Sequence, residues 1–253
     1  MSPPQKNPIR RVSRVIGVTI LPVLWGLAKS HAWVSDRYLP SIQSVIQAAF
    51  DIQPSIVLHL GSTVGRLMIG FALGALAGLA LGMLIASSDF ISDILSPVIG
   101  STRSVPGVAL IPFFLLWFGF SEWGRYLLVI CGIAFNIAVA TKQIIDSTPE
   151  QYHIMFASLG RKNTDFPLKY MLPYVAENIL PTLRFSLSMA IGLVVTSELL
   201  GSQIGLGYLI QTSLNTFSLN VLFLVAIILG LLSTISDSLL TYTWKQLTYW
   251  TKS

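Results

Sequence analysis

Apolar residues run along this chain in long blocks, and the polar residues collect between the blocks instead of alternating with them. A helix that crosses a bilayer needs about 20 mainly apolar residues. Blocks of that kind occupy residues 12–30, 58–86, 94–118, 126–145, 179–200 and 221–242. The pattern predicts an all-α membrane protein of six transmembrane helices, forming one transmembrane domain over residues 1–253. At 1.5 Å per residue the second block is longer than the roughly 30 Å hydrocarbon core, so it is expected to tilt or project. The third is the weakest, because Arg103, Pro106 and Pro112 interrupt it.

Two segments flank this pattern. The first block follows Lys6, Arg10, Arg11 and Arg14, and Ser30-His31-Ala32 loosely resembles a cleavage site. Its length and the five spans after it favour a retained helix over a secretory signal. Between the first two blocks, Pro40 and Pro54 bracket a stretch in which Ile42, Val45, Ile46, Ala49 and Phe50 recur at helical spacing. That reads either as an amphipathic helix on the outer membrane surface or as a loop helix packed against the spans.

Composition turns the pattern into a class. Hydrophobic residues make up 53% of the chain and charged residues 11%, where an ordinary soluble domain has about a quarter charged, so a water-soluble globule is excluded. The 16 Lys and Arg against 11 Asp and Glu give a formal +5. In a membrane protein that surplus reports orientation and is no sign of nucleic acid. With both termini inside, the inner side carries the four N-terminal cations, Arg161, Lys162, Lys169, Lys245 and Lys252, and the outer side only Lys29, Arg37 and Arg125. The single cysteine, Cys131, rules out an intrachain disulfide and a CxxC pair. His31, His59 and His153 are not spaced to share a metal with acidic neighbours, which argues against catalysis.

The second block carries Gly70, Gly74, Gly78 and Gly82 at strict four-residue intervals. Such a row lies on one helix face and lets another backbone approach closely, the usual substitute in lipid for a hydrophobic driving force. Intramembrane charge is costly and marks a functional hypothesis. Arg184 and Glu198 sit near the ends of the fifth block, which leaves Arg103 and Asp237 as the candidates for a buried role.

The inner stretch Pro149 to Pro181 is too long and too patterned for a turn. Tyr152 to Leu159, which includes Ala157, fits a short helix that Gly160 can end. Asn163 to Asp165 offers capping chemistry, and Phe166 to Leu172 begins a second helix. A protrusion presenting Phe156, Leu159 and Arg161 suits docking into a groove on another protein.

Here the chain resembles the membrane subunit of a bacterial ATP-binding cassette importer. Those permeases carry Glu-Ala-Ala, three residues, Gly, nine residues, an apolar residue, one residue and Leu-Pro. Gly160 is followed by nine residues, then Tyr170, Met171, Leu172 and Pro173, while Ile154, Met155 and Phe156 stand in place of the triplet. Resemblance to the nitrate, sulfonate, taurine and bicarbonate branch extends to Arg66-Leu67-Met68-Ile69-Gly70-Phe71, Arg103-Ser104-Val105-Pro106 and Leu116-Trp117-Phe118-Gly119 before Glu122. It extends further to Ser197-Glu198-Leu199-Leu200-Gly201 and Gly205-Leu206-Gly207-Tyr208-Leu209-Ile210.

The resemblance implies the type I importer permease fold in the bacterial inner membrane. It implies a homodimer that forms the path for a small anionic solute delivered by an extracytoplasmic binding protein. No GxxxxGK[ST] loop occurs, so the chain is expected to hold no cofactor, with ATP and Mg bound by cytosolic ATPase subunits. The coupling loop is placed at 149–173, with Phe156, Ala157, Leu159, Gly160, Arg161, Asp165, Leu172 and Pro173 facing the ATPase. Arg103, Ser104, Thr196 and Glu198 are expected on the translocation path. The competing reading, an ion-coupled secondary transporter, would show internal repeats, and none is evident between the two halves.

Overall fold

A computed structural model describes residues 20, 22–31, 33–35, 38–52, 55–103, 105–119, 121–149 and 171–249. The expected coupling helices, with Phe156, Ala157, Leu159, Gly160, Arg161 and Asp165, lie outside the described residues, as does residue 104. Among the described residues every regular element is helical. After a helical stretch at 22–30 come α1 (Ile42–Asp51), α2 (Ile56–Ala86), α3 (Asp89–Arg103), a 3-10 turn (Gly107–Leu110) and α4 (Ile111–Phe118). They are followed by α5 (Glu122–Asp146), α6 (Leu172–Asn178), α7 (Leu180–Gly201), α8 (Leu206–Thr216) and α9 (Leu219–Leu247). Four of these, α2, α5, α7 and α9, are long and apolar enough to cross a membrane.

The third apolar block is not one continuous helix. Regular α-helix stops at Arg103, Pro106 caps the 3-10 turn, and α4 restarts with Pro112 in its first turn. Proline lacks the N–H that a helix interior needs and biases the preceding residue toward extended backbone, so the break falls at Pro106 and Pro112, whereas Pro97 is accommodated inside α3.

The glycine row has one partner. A β-carbon built on Gly70 would meet Val129, on Gly74 Ile133, on Gly78 Ile137 and on Gly82 Thr141. Each four-residue step on α2 is matched by a four-residue step in the same direction on α5, so the two helices are parallel and pack backbone to backbone along three turns. Two parallel crossings require the chain between them to return across the bilayer, and α3, the turn and α4 are the elements that do so. α7 is antiparallel to α5, with Ser186 beside Asn136 and Gly201 beside Arg125.

α5 buries Val129, Ile133 and Ile137 against Leu67 of α2 and Leu183, Leu187 and Val194 of α7. A second cluster seats Val45, Ala48 and Ile52 against Leu206 and Leu209 of α8 and Leu224 and Val225 of α9. The α1 segment, capped by the Ser41 hydroxyl, is therefore packed on the spans, as the second of the two sequence readings had it. It still turns Ile42, Ile46 and Phe50 outward, with Phe50 80% exposed. α9 is the outermost long helix. Of its residues only Leu224 and Val225 are buried, so Leu231, Ile235 and Leu239 face whatever surrounds the chain.

Candidate functional site

One end of the bundle holds a polar cluster built from four separated segments. Arg66, a turn and a half into the apolar run from Leu60, projects from α2 and is 5% exposed, while Glu198 of α7 is fully buried. Arg66 Nη1 donates to Glu198 Oε1 at 2.7 Å and to the carbonyl of Ile204 at 2.8 Å. Its Nε and Nη2 grip Glu122 of α5 in a fork at 2.8 and 2.6 Å. Arg125, one turn along α5, donates to the same Glu122 at 2.6 Å and to the carbonyl of Gly201. Two arginines and two glutamates thus close a formally neutral set, the condition on which charge is tolerated away from water.

The cluster also caps a helix. α8 opens at Gly205, which has no side chain to accept from the first N–H groups. Glu198 Oε2 accepts from Gly207 N at 3.0 Å, and the Thr63 hydroxyl accepts from Leu206 N at 2.9 Å while donating to the Glu198 carboxylate. Gly205 N donates to His59 Nδ1 at 3.1 Å, and the His59 ring stacks on Tyr208. A carboxylate at a helix N-terminus satisfies orphan donors and complements the dipole. Gly205 adopts φ +135°, and a β-carbon there would sit on the Glu198 carboxylate. The Ser197–Gly201 and Gly205–Ile210 motifs are in this way two halves of one structure.

At the opposite end, α6 ties the chain leaving the 150–170 segment to the spans. Pro173 sits in its first turn, Met171 is 3% exposed, and Val175 and Ile179 are wholly buried in the core shared with α5 and α7. Trp244 Nε1 of α9 donates to the Ala176 carbonyl at 2.7 Å. The Thr148 hydroxyl lies 3.7 Å from Met171 Sδ, so the two ends of the segment meet.

The residues expected on the translocation path separate. Glu198 is sealed inside the chain with its carboxylate fully engaged, so it faces no open surface. Thr196 lies two positions away, about 200° around α7, and is partly exposed. Arg103 ends α3, and its side chain is outside the described set together with Ser104. Asp237 forms a bidentate pair with Arg184 at 2.6 and 2.7 Å, both half-exposed, joining α7 to α9. Asp237, expected as a candidate for a buried role, is thereby placed at a partly exposed seam. Leu172 is exposed at the start of α6, beside Pro173. Sequence reasoning missed Arg66, Glu122, Arg125, Thr63 and His59 as the companions of Glu198. The available signal was Arg66 itself, a cation inside the clearest apolar block that must find an anion.

Comparison with known proteins bears on this architecture directly. Residues 74–247 match the family described as the binding-protein-dependent transport system inner membrane component. The chain is 31% identical to the aliphatic sulfonates transport permease SsuC of Bacillus subtilis over 92% of this chain and 86% of that one. It is 28% identical to the formylaminopyrimidine transport permease ThiX of Halalkalibacterium halodurans over 84% and 85%. Permeases named for taurine and nitrate also match. Among solved structures, the inward-facing MetNI methionine ABC transporter superposes with a TM-score of 0.62 at 17% identity, covering 77% of this chain and 94% of that one. The superposition shows the type I ABC importer permease fold and the family model covers more than half of the chain, so the chain belongs to the binding-protein-dependent transport system inner membrane component family as an ABC importer permease subunit, in the nitrate, sulfonate and taurine branch.

Proposed function

We infer that two copies of this chain form the translocation path for a small anionic solute of the sulfonate, taurine, nitrate or bicarbonate class. A solute-binding protein delivers the solute at the Glu198 end. Cytosolic ATPase subunits, which hold ATP and Mg, seat the 149–173 segment at the other end. The chain crosses six times with both termini inside. Thr148 and Met171, which flank the segment carrying the cations Arg161, Lys162 and Lys169, lie at the end to which α9 also runs, in keeping with the positive-inside bias.

The observation that carries the coupling part of this reading is α6. Its Val175 and the Ile179 that caps it are wholly buried, and Trp244 ties its backbone to α9, so a displacement of the preceding segment has no slack in which to dissipate. A rigid element held by close packing passes motion on as a shift of the packed spans. Phe156, Ala157, Leu159, Gly160, Arg161, Asp165, Leu172 and Pro173 are the proposed ATPase-facing residues. Of the proposed path residues, Thr196 retains support from its partial exposure, Arg103 and Ser104 stand on the sequence alone, and Glu198 has the role of an internal brace. The outer cluster would hold α8 rigid beneath the docking protein.

The test is reconstitution of the chain with its ATPase and binding protein in proteoliposomes. Gly160→Asp is expected to abolish ATP-driven uptake or ATPase association. Undiminished ATP-dependent uptake through an intact complex would refute the coupling assignment, and uptake by this chain alone on an ion gradient would refute the importer reading.

A further inference from the structure

Between the Gly107 turn, α5 and α7 lies a cavity of about 360 Å³. Its walls include Phe135, Phe185 and Met189, and the half-buried Cys131 opens onto it. Leu193, wedged against Gly107 and Gly132, backs it. Among the described residues, the amide that faces in is Asn136, near the middle of the 25-residue α5. Its Nδ2 donates to the hydroxyl of Ser186 at 3.1 Å, and Ser186 is fully buried, which fixes the amide plane. Among the described residues that amide makes no other hydrogen bond, leaving one N–H and the carbonyl for an occupant. A polar group at mid-span is expensive in lipid and is kept where it faces a watery cavity or a passing solute.

α5 is two-faced along this stretch. Ile133, Ala134, Ile137 and Ala138 are buried, while Cys131, Phe135 and Asn136 are only partly so. On α7, Phe185, Met189 and Thr196 share one face by helical spacing, the face opposite Glu198.

We propose that this cavity is the solute-contact site of the permease, and that its occupant is an organic solute pairing a compact hydrocarbon body with an acceptor-rich head group, rather than a bare inorganic oxyanion. The proposal rests on the importer reading above. Asn136 supplies the N–H to a head-group oxygen. Phe135, Phe185 and Met189 cover the hydrocarbon, for which they are suited by their apolar, polarizable surfaces. Among the described lining residues none is an acid or a strong base, which suits the weak, reversible hold that passage requires. The volume falls within the range of small-molecule sites.

Cys131, the single cysteine of the chain, is a native reporter. The full complex with ATPase, in nanodiscs, is labelled with the small reagent methanethiosulfonate ethylsulfonate, with butane-1-sulfonate or nitrate as competitor at matched ionic strength. A site of one amide and apolar walls binds in the millimolar range, so about 10 mM butane-1-sulfonate should slow labelling about threefold or more, and nitrate should not. Asn136→Leu should lose that protection while its labelling rate without solute stays within about twofold, a result that a merely structural asparagine would not give. Absence of labelling in every nucleotide state overturns the proposal, as does equal protection by nitrate or none by butane-1-sulfonate in wild-type protein. If Asn136→Leu does not assemble, the wild-type competition decides alone. ATPase activity stimulated by the binding protein is measured on the same sample. If stimulation is present and protection absent, the cavity assignment fails and the importer reading stands; if no ATPase complex forms, the importer reading itself fails.

Discussion

Replacing Gly78 by alanine adds one methyl group where the backbones of α2 and α5 cross closely. The new carbon would lie 2.7 Å from the carbonyl oxygen of Ala134 and 2.7 Å from Cβ of Ile137, where ordinary contacts begin at 3.4 Å. The helices must therefore part locally by roughly 0.7 Å, and a gap of that size forfeits a quarter or more of each neighbouring dispersion contact. No sideways slip relieves the clash, because the positions before it are as close: a carbon on Gly70 would be 2.8 Å from Val129, and one on Gly74 2.6 Å from Ile133. Overpacking of this kind costs about 1–3 kcal/mol, and the lost contacts on either side put Gly78→Ala at the upper end of that range. Gly65 on the same helix has nothing within 4 Å, so Gly65→Ala should be neutral or gain up to about 1 kcal/mol from helix propensity. Unfolding by sodium dodecyl sulfate titration in bicelles, followed by tryptophan fluorescence, should separate the two variants by about 2–3 kcal/mol. Trimming Ile137 to alanine should not rescue Gly78→Ala, since the backbone carbonyl remains in the way. Variants that unfold within about 0.5 kcal/mol of each other, the scatter of ordinary surface changes, would refute the close-packing argument.

Arg66→Met strands Glu198 in a buried site and should destabilise by about 3–5 kcal/mol, whereas Arg66→Met with Glu198→Leu should recover part of the loss; the same titration reads both, and strict additivity would count against the ion pair. Arg184→Gln and Asp237→Asn should each lower ATP-driven uptake, and the exchange Arg184→Asp with Asp237→Arg should restore it above either single variant, as a double-mutant cycle in proteoliposomes would report. Trp244→Phe keeps the ring packing but deletes the bond to Ala176, which should cost about 1 kcal/mol and loosen coupling, seen as more ATP hydrolysed per solute imported; an unchanged ratio would remove α9 from the transmission route.

The apolar blocks, the break near Pro106 and the glycine row were legible in the sequence because lipid makes them so. A spanning helix satisfies its own backbone and advertises itself by local hydropathy alone, and a proline acts within its own turn. Even so, the sequence could say only that the face of Gly70 to Gly82 would meet some helix. That it meets Val129 to Thr141 in parallel register was settled by the tertiary packing.

The charges show the difference most sharply. Glu198 reads in sequence as a residue near the outer end of a span, open to a role on the path. The fold turns it inward onto Arg66, 132 positions away, and sets Thr63 and Gly207 on its remaining lone pairs. Asp237, singled out for burial, meets Arg184 at a partly exposed seam. Hydrophobicity decided which segments of this protein leave water, a question each segment answers by itself. The rotation of each helix about its axis depends on side chains brought together from distant parts of the chain, and that rotation separates a sealed brace such as Glu198 from a partly exposed residue such as Thr196 or Asn136.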